Sequence, residues 1–150
     1  MRNKTAVMFM LSVVLLFTNL QTAYAYDNSW MHKFSDDDMQ MLYQLVHAES
    51  GNQDLTTQEA VASVVINRVM SEYFPNSVSS VIFADGQFSV VDNGSIWCTP
   101  SEQSIQAVNN VCENGVTIKN NIYFFRNSHY HNGYTDEMQL GVLYFSSYGD

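Results

Sequence analysis

The 150-residue sequence has little positive charge. Six Lys and Arg stand against fifteen Asp and Glu, which gives a formal net charge of −9. Phosphate binding needs clustered Lys and Arg, so the composition argues against nucleic acid as a partner. The same imbalance argues against purely electrostatic retention on an anionic membrane or wall polymer. A soluble exported protein fits this charge.

Charged residues are absent from Thr5 to Ala25, after two basic residues near the N-terminus. This segment contains an apolar run at 6–17 and ends in Ala23-Tyr24-Ala25, a small-x-small cleavage pattern. The run is shorter than the ~20 residues that a membrane span needs. We therefore predict a signal peptide at 1–25 and no stable membrane anchor after its cleavage, which would take the net charge to −11.

About 125 residues would remain, enough for one domain with a core and too few for two. We expect 26–34 to be a short linker and 35–150 to form the folded domain.

Cysteine is also scarce, with only Cys98 and Cys112 in the chain. Two cysteines in an exported protein suggest a disulfide. However, Thr99 and Glu102 form a capping-box pattern with Pro100 at the first helical position, which predicts a helix reaching Cys112. Such a helix separates its ends by roughly 20 Å, whereas a disulfide tolerates about 7 Å between Cα atoms. We therefore predict that these two cysteines are not bonded to each other.

Helix signals dominate the first part of the chain. Ser35 is a predicted N-cap before three aspartates, and Gly51 ends the apolar stripe that follows. Thr56 and Glu59 resemble a second capping box, ahead of a valine-rich stripe. A short third helix is predicted within 76–83, and the fourth should run from Pro100 to about Glu113 and end at Asn114-Gly115.

Strand signals follow in the C-terminal part. The segments IYFF from Ile122 and GVLYF from Gly141 have aromatic and β-branched residues, and a polar stretch joins them. QFSVV from Gln87 is a weaker third strand. The sequence thus predicts a helix-dominated α+β domain with a small antiparallel sheet formed mainly by the C-terminal part.

Glu49 stands where the helix pattern requires an apolar residue. Leu42, Val46 and Glu49 are spaced i, i+4, i+7, so the carboxylate continues the core-facing stripe into the last turn. Partial burial and the C-terminal end of the helix dipole both raise the pKa of such a carboxyl group. A general acid needs this property. A structural ion pair between Glu49 and Arg68 is the alternative.

Four motifs, in this order, carry a family resemblance: A-E-x-G-N at 48–52, V-x-N-R-V at 65–69, F-P-N-S-V at 74–78 and G-Q-F-S at 86–89. Over roughly Leu42 to Ser146 the chain resembles the catalytic domain of the SleB/CwlJ-type cell wall hydrolases, the spore cortex-lytic group. The resemblance implies a lysozyme-like fold that cleaves the glycan strand of peptidoglycan, with Glu49 as the catalytic acid and no cofactor. It also makes 35–150 the catalytic domain.

The family resembles lytic transglycosylases, in which one glutamate gives a proton and then accepts one from the sugar's 6-hydroxyl, so no second carboxylate is obligatory. A hydrolytic muramidase would normally use a second carboxylate. Candidates for it are Asp54, Asp85 and Asp92, although all three stand in turn-forming contexts, where Asp is more often structural.

Other candidate residues have binding or supporting roles. By resemblance, Gln87 and Phe88 lie at the cleft, where an amide beside a ring suits a sugar. Trp97 is either a stacking platform or a hydrophobic staple, and Tyr123 either lines the cleft or belongs to the core. Asn67 and Arg68 match the family's N-R pair and are expected to support Glu49.

The chain departs from the family at Leu143, where relatives usually carry a histidine. His129 and His131 in the preceding loop are possible substitutes, and His131 is a candidate substrate-binding residue. Those two and His47 also allow an alternative, a zinc-dependent peptidoglycan amidase or peptidase, because three protein ligands and a water are the usual catalytic zinc site. The sequence has no H-E-x-x-H motif. A non-catalytic glycan-binding module is a third reading.

The expected partner is peptidoglycan, of the vegetative wall or the spore cortex, and the expected location is secreted, at the cell wall or spore envelope. The chain contains no recognisable wall-binding domain, so targeting would come from the catalytic domain, from an accessory protein or from the exported location alone.

Overall fold

The computed structural model describes residues 33–130 and 132–149. The predicted signal peptide at 1–25, most of the predicted linker and His131 lie outside the described residues. Across the described ranges, no helix is long and apolar enough to cross a membrane.

Five helices precede three strands. The helices are α1 (Asp36–Ser50), α2 (Leu55–Met70), α3 (Val78–Ile82), α4 (Ser89–Asp92) and α5 (Glu102–Asn114), and the strands are β1 (Ile122–Asn127), β2 (Tyr134–Leu140) and β3 (Leu143–Tyr148). The predicted α+β class is confirmed, with a helical front part and a small antiparallel sheet at the C-terminal end.

Helix α1 begins as the sequence predicts. The Ser35 hydroxyl accepts a hydrogen bond from the backbone N–H of Asp38, and the Asp38 carboxylate accepts one in return from the backbone N–H of Ser35. This reciprocal capping satisfies donors that a helix start leaves unpaired. Leu42, Leu45 and Val46 are fully buried, so the apolar stripe faces the core as expected.

Two predicted helix starts are wrong by a few residues. Asp54, not Thr56, caps α2, and its carboxylate accepts from the backbone N–H of Thr57 at 2.8 Å. Ser101, not Thr99, caps α5, which places Pro100 before the helix. In both cases several residues within one turn can accept a capping hydrogen bond, so local sequence does not decide between them. The predicted end of α5 is confirmed, since Gly115 follows its last residue with a φ of 98°.

The core is centred on α2, whose residues 60–66 are buried without interruption. This helix packs against α1, α5, α3 and β1. Because its neighbours surround it, the helix needs apolar or small residues on nearly every face.

The three strands form an antiparallel sheet in the order β1-β3-β2. Two sequence predictions are corrected here. Strand β2 lies inside the stretch predicted to be a polar loop, and it is an edge strand whose partly exposed faces tolerate polar residues. QFSVV does not form a strand, because Phe88 is the N-cap of the one-turn helix α4.

Asn67 and Arg68 fix strand β1 to helix α2. The Asn67 side-chain amide donates to the backbone carbonyls of Lys119 and Ile122, at 2.8 and 3.0 Å. The Arg68 Nε donates to the carbonyl of Tyr123 at 2.7 Å. These contacts set where β1 begins, and they place the residues at its far end.

The prediction for the cysteines is confirmed. Cys98 and Cys112 are both free, and helix α5 occupies most of the chain between them. Cys112 is buried, and burial raises the pKa of its thiol to about 11. Its thiol is therefore protonated and unreactive at neutral pH.

Asn67→Ala should destabilise the fold, because it removes the donor of a buried hydrogen bond to the Ile122 carbonyl and of a partly buried one to the Lys119 carbonyl. We expect a loss of about 2–4 kcal/mol in the free energy of unfolding, measured by denaturant titration. Asn76→Ala is the matched control, since Asn76 is exposed and should cost less than about 0.5 kcal/mol. Equal stability of the two variants would show that the amide does not anchor β1.

Candidate active site

Glu49 is the penultimate residue of α1 and is only partly buried. Its carboxylate has no hydrogen bond or ion pair within residues 33–130 and 132–149, although it is half removed from water. Burial raises the pKa of Glu49, and its position at the C-terminal end of the helix acts in the same direction. The prediction of a raised pKa is confirmed by this environment.

Two cavities meet at Glu49. One, of about 530 Å³, lies on the α1 side, and the other, of about 420 Å³, lies toward α2 and the loop before α4. Both are lined by Glu49, Asn127 and Leu143, so they form one cleft that passes the carboxylate on either side. An extended ligand can therefore place a bond beside Glu49 while occupying both halves.

The first half of the cleft is lined in addition by the end of α1, by the turn after it and by one residue between β2 and β3. The residues are His47, Ala48, Gly51, Asn52, Gln53 and Val142. The second half adds Arg68, Gly86, Gln87, Phe88, Ser89, Phe125 and Arg126. Most of these side chains are polar and uncharged or apolar, which suits the hydroxyls and apolar faces of sugar rings.

Arg68 borders the cleft but does not form the predicted alternative ion pair with Glu49. Its guanidinium carbon lies 5.2, 5.1 and 5.5 Å from the ring centroids of Phe74, Phe88 and Phe124. The one salt bridge in the described ranges joins Lys119 to Glu137. Burial lowers the pKa of Arg68 to about 10, so the group is still charged at neutral pH. The cation is stabilised by aromatic faces and by the Tyr123 carbonyl.

Gln87 and Phe88 lie in the cleft, as the resemblance implies. Gln87 is exposed, whereas Phe88 is buried beneath the Arg68 guanidinium. Phe88 therefore presents little surface to a ligand, and it contributes by holding Arg68. The binding role of Gln87 stays a prediction.

Trp97 and Tyr123 do not line either half of the cleft. Trp97 is 66% exposed and stacks on Phe83, with ring centroids 5.9 Å apart. Tyr123 belongs to an aromatic cluster with Phe74 and Tyr148 at the other end of β1. Asn67 does not line the cleft either, and it acts on the site through the backbone of β1.

Glu49 has the only carboxyl group among the described residues that line the cleft. Asp54 caps α2, and its hydrogen bonds with Thr57 lower the pKa of its carboxyl group. Asp85 and Asp92 are exposed and lie outside both halves of the cleft. The described lining of the cleft thus contains one carboxyl group rather than a facing pair.

The two histidines in the described residues, His47 and His129, have different surroundings. His47 lines the cleft, and its Nδ1 accepts from the backbone N–H of Ser101 at 3.3 Å. His129 is exposed beside Ser128. In the part of the chain that the structure describes, no three His, Cys, Asp or Glu side chains are grouped to hold a metal ion. The zinc alternative also requires His131, which lies outside that part, and it stays a prediction.

Sequence reasoning missed Asn127, which lines both halves of the cleft together with Glu49. It pairs with Leu143 across the β1–β3 ladder, and Leu143 is 4% exposed. The available signal was the end of the predicted strand at 122–125, since side chains at strand ends often line sites. Only the strand register shows that Asn127 and Leu143 lie side by side.

A helix-dominated α+β domain with one desolvated glutamate in an open cleft defines a lysozyme-like protein. The model of the cell wall hydrolase family matches residues 52–145, and the chain belongs to that family. The matched segment begins just after Glu49.

Relatives and solved structures agree with this assignment. Spore cortex-lytic enzymes of Bacillus cereus and Bacillus subtilis are 38% and 35% identical over 92 residues, or 61% of this chain. These segments are 36% and 30% of the relatives, so the chain spans about a third of their length. The catalytic domain of the germination-specific lytic transglycosylase SleB from Bacillus anthracis matches with a TM-score of 0.69 and 31% identity, over 76% of this chain and 97% of that one. The catalytic domain of SleB from Bacillus cereus matches with the same TM-score, at 30% identity.

The raised pKa of Glu49 predicts how its replacement changes stability with pH. Because the folded state holds the proton more tightly than the unfolded chain, Glu49 favours folding below the ordinary carboxyl pKa and loses this contribution as pH rises through its folded pKa. Glu49→Gln should therefore raise the thermal midpoint at about pH 7, and the gain should shrink toward about pH 4.

The control for this pH series is Glu113→Gln. Glu113 is also the penultimate residue of a helix, but it is exposed. We expect its thermal midpoint to differ from wild type by much less than that of Glu49→Gln, because solvent screens an exposed carboxyl group. A gain for Glu49→Gln that does not depend on pH would contradict a desolvated carboxylate.

Proposed function

We propose that this chain cleaves the glycan strand of peptidoglycan, with Glu49 as the general acid and then the general base. The observation that supports it most is the solitary, partly buried carboxyl group in the middle of a cleft that is open on both sides. A polymer can lie along such a cleft, and cleavage of a glycosidic bond beside Glu49 requires a proton donor. Membership of the cell wall hydrolase family agrees with this substrate class.

The single carboxyl group favours a lytic transglycosylase over a muramidase. Protonated Glu49 gives its proton to the glycosidic oxygen as the C1–O bond breaks. The resulting carboxylate accepts the proton of the same sugar's 6-hydroxyl as that oxygen bonds to C1, which closes a 1,6-anhydro ring. The step consumes no water, and Glu49 ends protonated again. Hydrolysis would instead need a second carboxylate at a defined distance, and the described cleft lining contains none.

The remaining roles follow from position in the cleft. Gln87 and Asn127 both line the second half of the cleft, where their side-chain amides can bind sugar hydroxyl or acetamido groups. Arg68 supports the wall of this half. Asn67 positions β1, which carries Asn127.

Spore cortex and vegetative wall are both candidate substrates. The relatives are named spore cortex-lytic enzymes and a solved relative is called germination-specific, which favours cortex. We further propose that the protein is exported through the signal peptide at 1–25 and acts at the cell wall or spore envelope. An accessory protein for targeting is also part of the proposal.

Incubation of the protein with purified cortex and vegetative peptidoglycan tests the function, with mass spectrometry of the soluble fragments. We expect fragments that end in 1,6-anhydromuramic acid. Glu49→Gln should lower the rate by about 10²–10⁴-fold, the usual contribution of a general acid. Glu113→Gln, the exposed counterpart, should cut at the wild-type rate.

The other products would each contradict a specific part of the proposal. Reducing muramic acid ends would indicate hydrolysis and a second carboxylate. Free peptides would indicate an amidase or peptidase, and no products with either substrate would indicate a binding module.

A chelator separates the glutamate mechanism from the zinc alternative. Incubation with excess EDTA, followed by dialysis, should leave the rate of glycan cleavage within about twofold of the untreated enzyme, because Glu49 alone supplies the proton. A loss that added zinc restores would contradict this expectation. His129→Ala gives an independent check, since it should be neutral unless His129 binds a metal.

A further inference from the structure

A second cavity that could hold a ligand lies at the other end of the strands that line the cleft. It has a volume of about 500 Å³, and we call it the tyrosine groove. Its lining residues are Tyr73, Asn121, Tyr123, Ser147, Tyr148 and Gly149. Tyr73 and Tyr148 are 68% and 44% exposed, so two of the three rings present much of their surface to solvent.

The tyrosine rings are held in place by one another and by Phe74. The ring centroid of Tyr148 lies 5.8 Å from those of both Tyr73 and Tyr123. Phe74 packs nearly parallel to Tyr148, at 6.3 Å and 26°. Phe74 is itself in contact with the Arg68 guanidinium. Rings ordered before binding lose little conformational entropy when a ligand arrives.

The chemistry of the groove suits a neutral sugar. None of its described lining residues is charged, whereas the chain has a net charge of −9. Aromatic faces pack against the apolar C–H faces of sugar rings, and the Asn121 amide can bind a hydroxyl or acetamido group. Burial raises the pKa of Tyr148, which keeps its hydroxyl neutral and able to donate at neutral pH.

The charge of the tyrosine groove and its position in the fold indicate which ligand it binds. An anionic polymer would meet an acidic protein without a basic side chain in the groove, and a second copy of this acidic chain would be repelled in the same way. The groove and the cleft lie at opposite ends of the β1–β3 ladder, in which Ile122 pairs with Ser147 at the groove end and Asn127 with Leu143 at the cleft end. The stretch from Ile122 to Asn127 spans about 17 Å along β1.

We propose that the tyrosine groove is a second glycan-binding site, which holds N-acetylated sugars of the same strand that the cleft cuts. The identity of this polymer rests on the proposed function. Binding at the groove keeps the polymer on the enzyme between cuts and supplies wall affinity within the catalytic domain itself. Tyr123, which does not line the cleft, thus binds substrate away from the reacting bond.

Retention on insoluble glycan tests the groove. Glu49→Gln protein is mixed with peptide-stripped peptidoglycan, and in parallel with chitin, and the bound fraction is measured by sedimentation over a concentration series. Adding Tyr73→Ala or Tyr148→Ala to this background should raise the dissociation constant roughly tenfold, the loss expected for one stacked ring. Because Tyr73 is exposed, its truncation should leave the circular dichroism spectrum and the thermal midpoint unchanged.

Tyr130→Ala is the matched control in the same background. Tyr130 packs on Tyr144 at 5.0 Å and does not line the groove, so we expect the parent dissociation constant. Groove variants that bind as tightly as the parent and the control would overturn the proposal, and so would a parent that does not bind glycan.

The groove and the proposed activity can fail separately. If wild type releases anhydro fragments while the groove variants bind normally, the groove proposal is wrong and the activity stands. If wild type releases no glycan fragments but retention still depends on Tyr73 and Tyr148, the activity is wrong and the groove is a glycan site of a binding module.

Discussion

The cleft depends on the contacts of one buried group, the guanidinium of Arg68. It is 4% exposed, donates to the Tyr123 carbonyl and lies against Phe74, Phe88 and Phe124. These contacts join α2 to the loop before α4 and to β1, the elements that form one wall of the cleft. A buried cation usually needs a carboxylate partner. Here aromatic faces and a backbone carbonyl stabilise the cation, and Arg68 has no carboxylate partner among the described residues of the site.

The absence of an ion pair at Arg68 leaves Glu49 electrostatically alone. A salt bridge to Arg68 would stabilise the carboxylate and lower its pKa, which would remove the proton needed for acid catalysis. Burial raises the pKa of Glu49, and no contribution from Arg68 opposes it. The same aromatic contacts that stabilise Arg68 therefore keep it from neutralising the acid. Arg68 thus supports the wall of the cleft without lowering the pKa of Glu49, although both residues line the same cavity.

The sequence predicted those features that depend on local pattern. The Ser35 cap and the position of Glu49 on the inner face of α1 follow from helical spacing, and the strands at 122 and 143 follow from aromatic and β-branched runs. Features that depend on tertiary contacts were missed. Strand β2 is polar and is stabilised by pairing with β3, and the segment QFSVV turns into α4 because Phe88 packs under Arg68.

The candidate site was predictable to a similar extent. The place of Glu49 on the inner face of α1 follows from spacing, whereas its expected role and that of Gln87 came from the family motifs. Asn127 could not be predicted, because its place beside Leu143 in the cleft depends on the register of β1 against β3. The sequence left Tyr123 open between the cleft and the core, and its contacts with Phe74 and Tyr148 place it in an aromatic cluster outside the cleft.

Leu143 shows how the fold and the chemistry are linked at one position. Its side chain lines both halves of the cleft, where the resemblance places a histidine in relatives. A histidine there could hydrogen-bond Glu49 and, when protonated, would lower the pKa of the glutamate. Leucine can do neither, because it has no group that can donate, accept or exchange a proton. In the proposed mechanism both proton transfers are therefore left to Glu49 itself, without help from the residue at position 143.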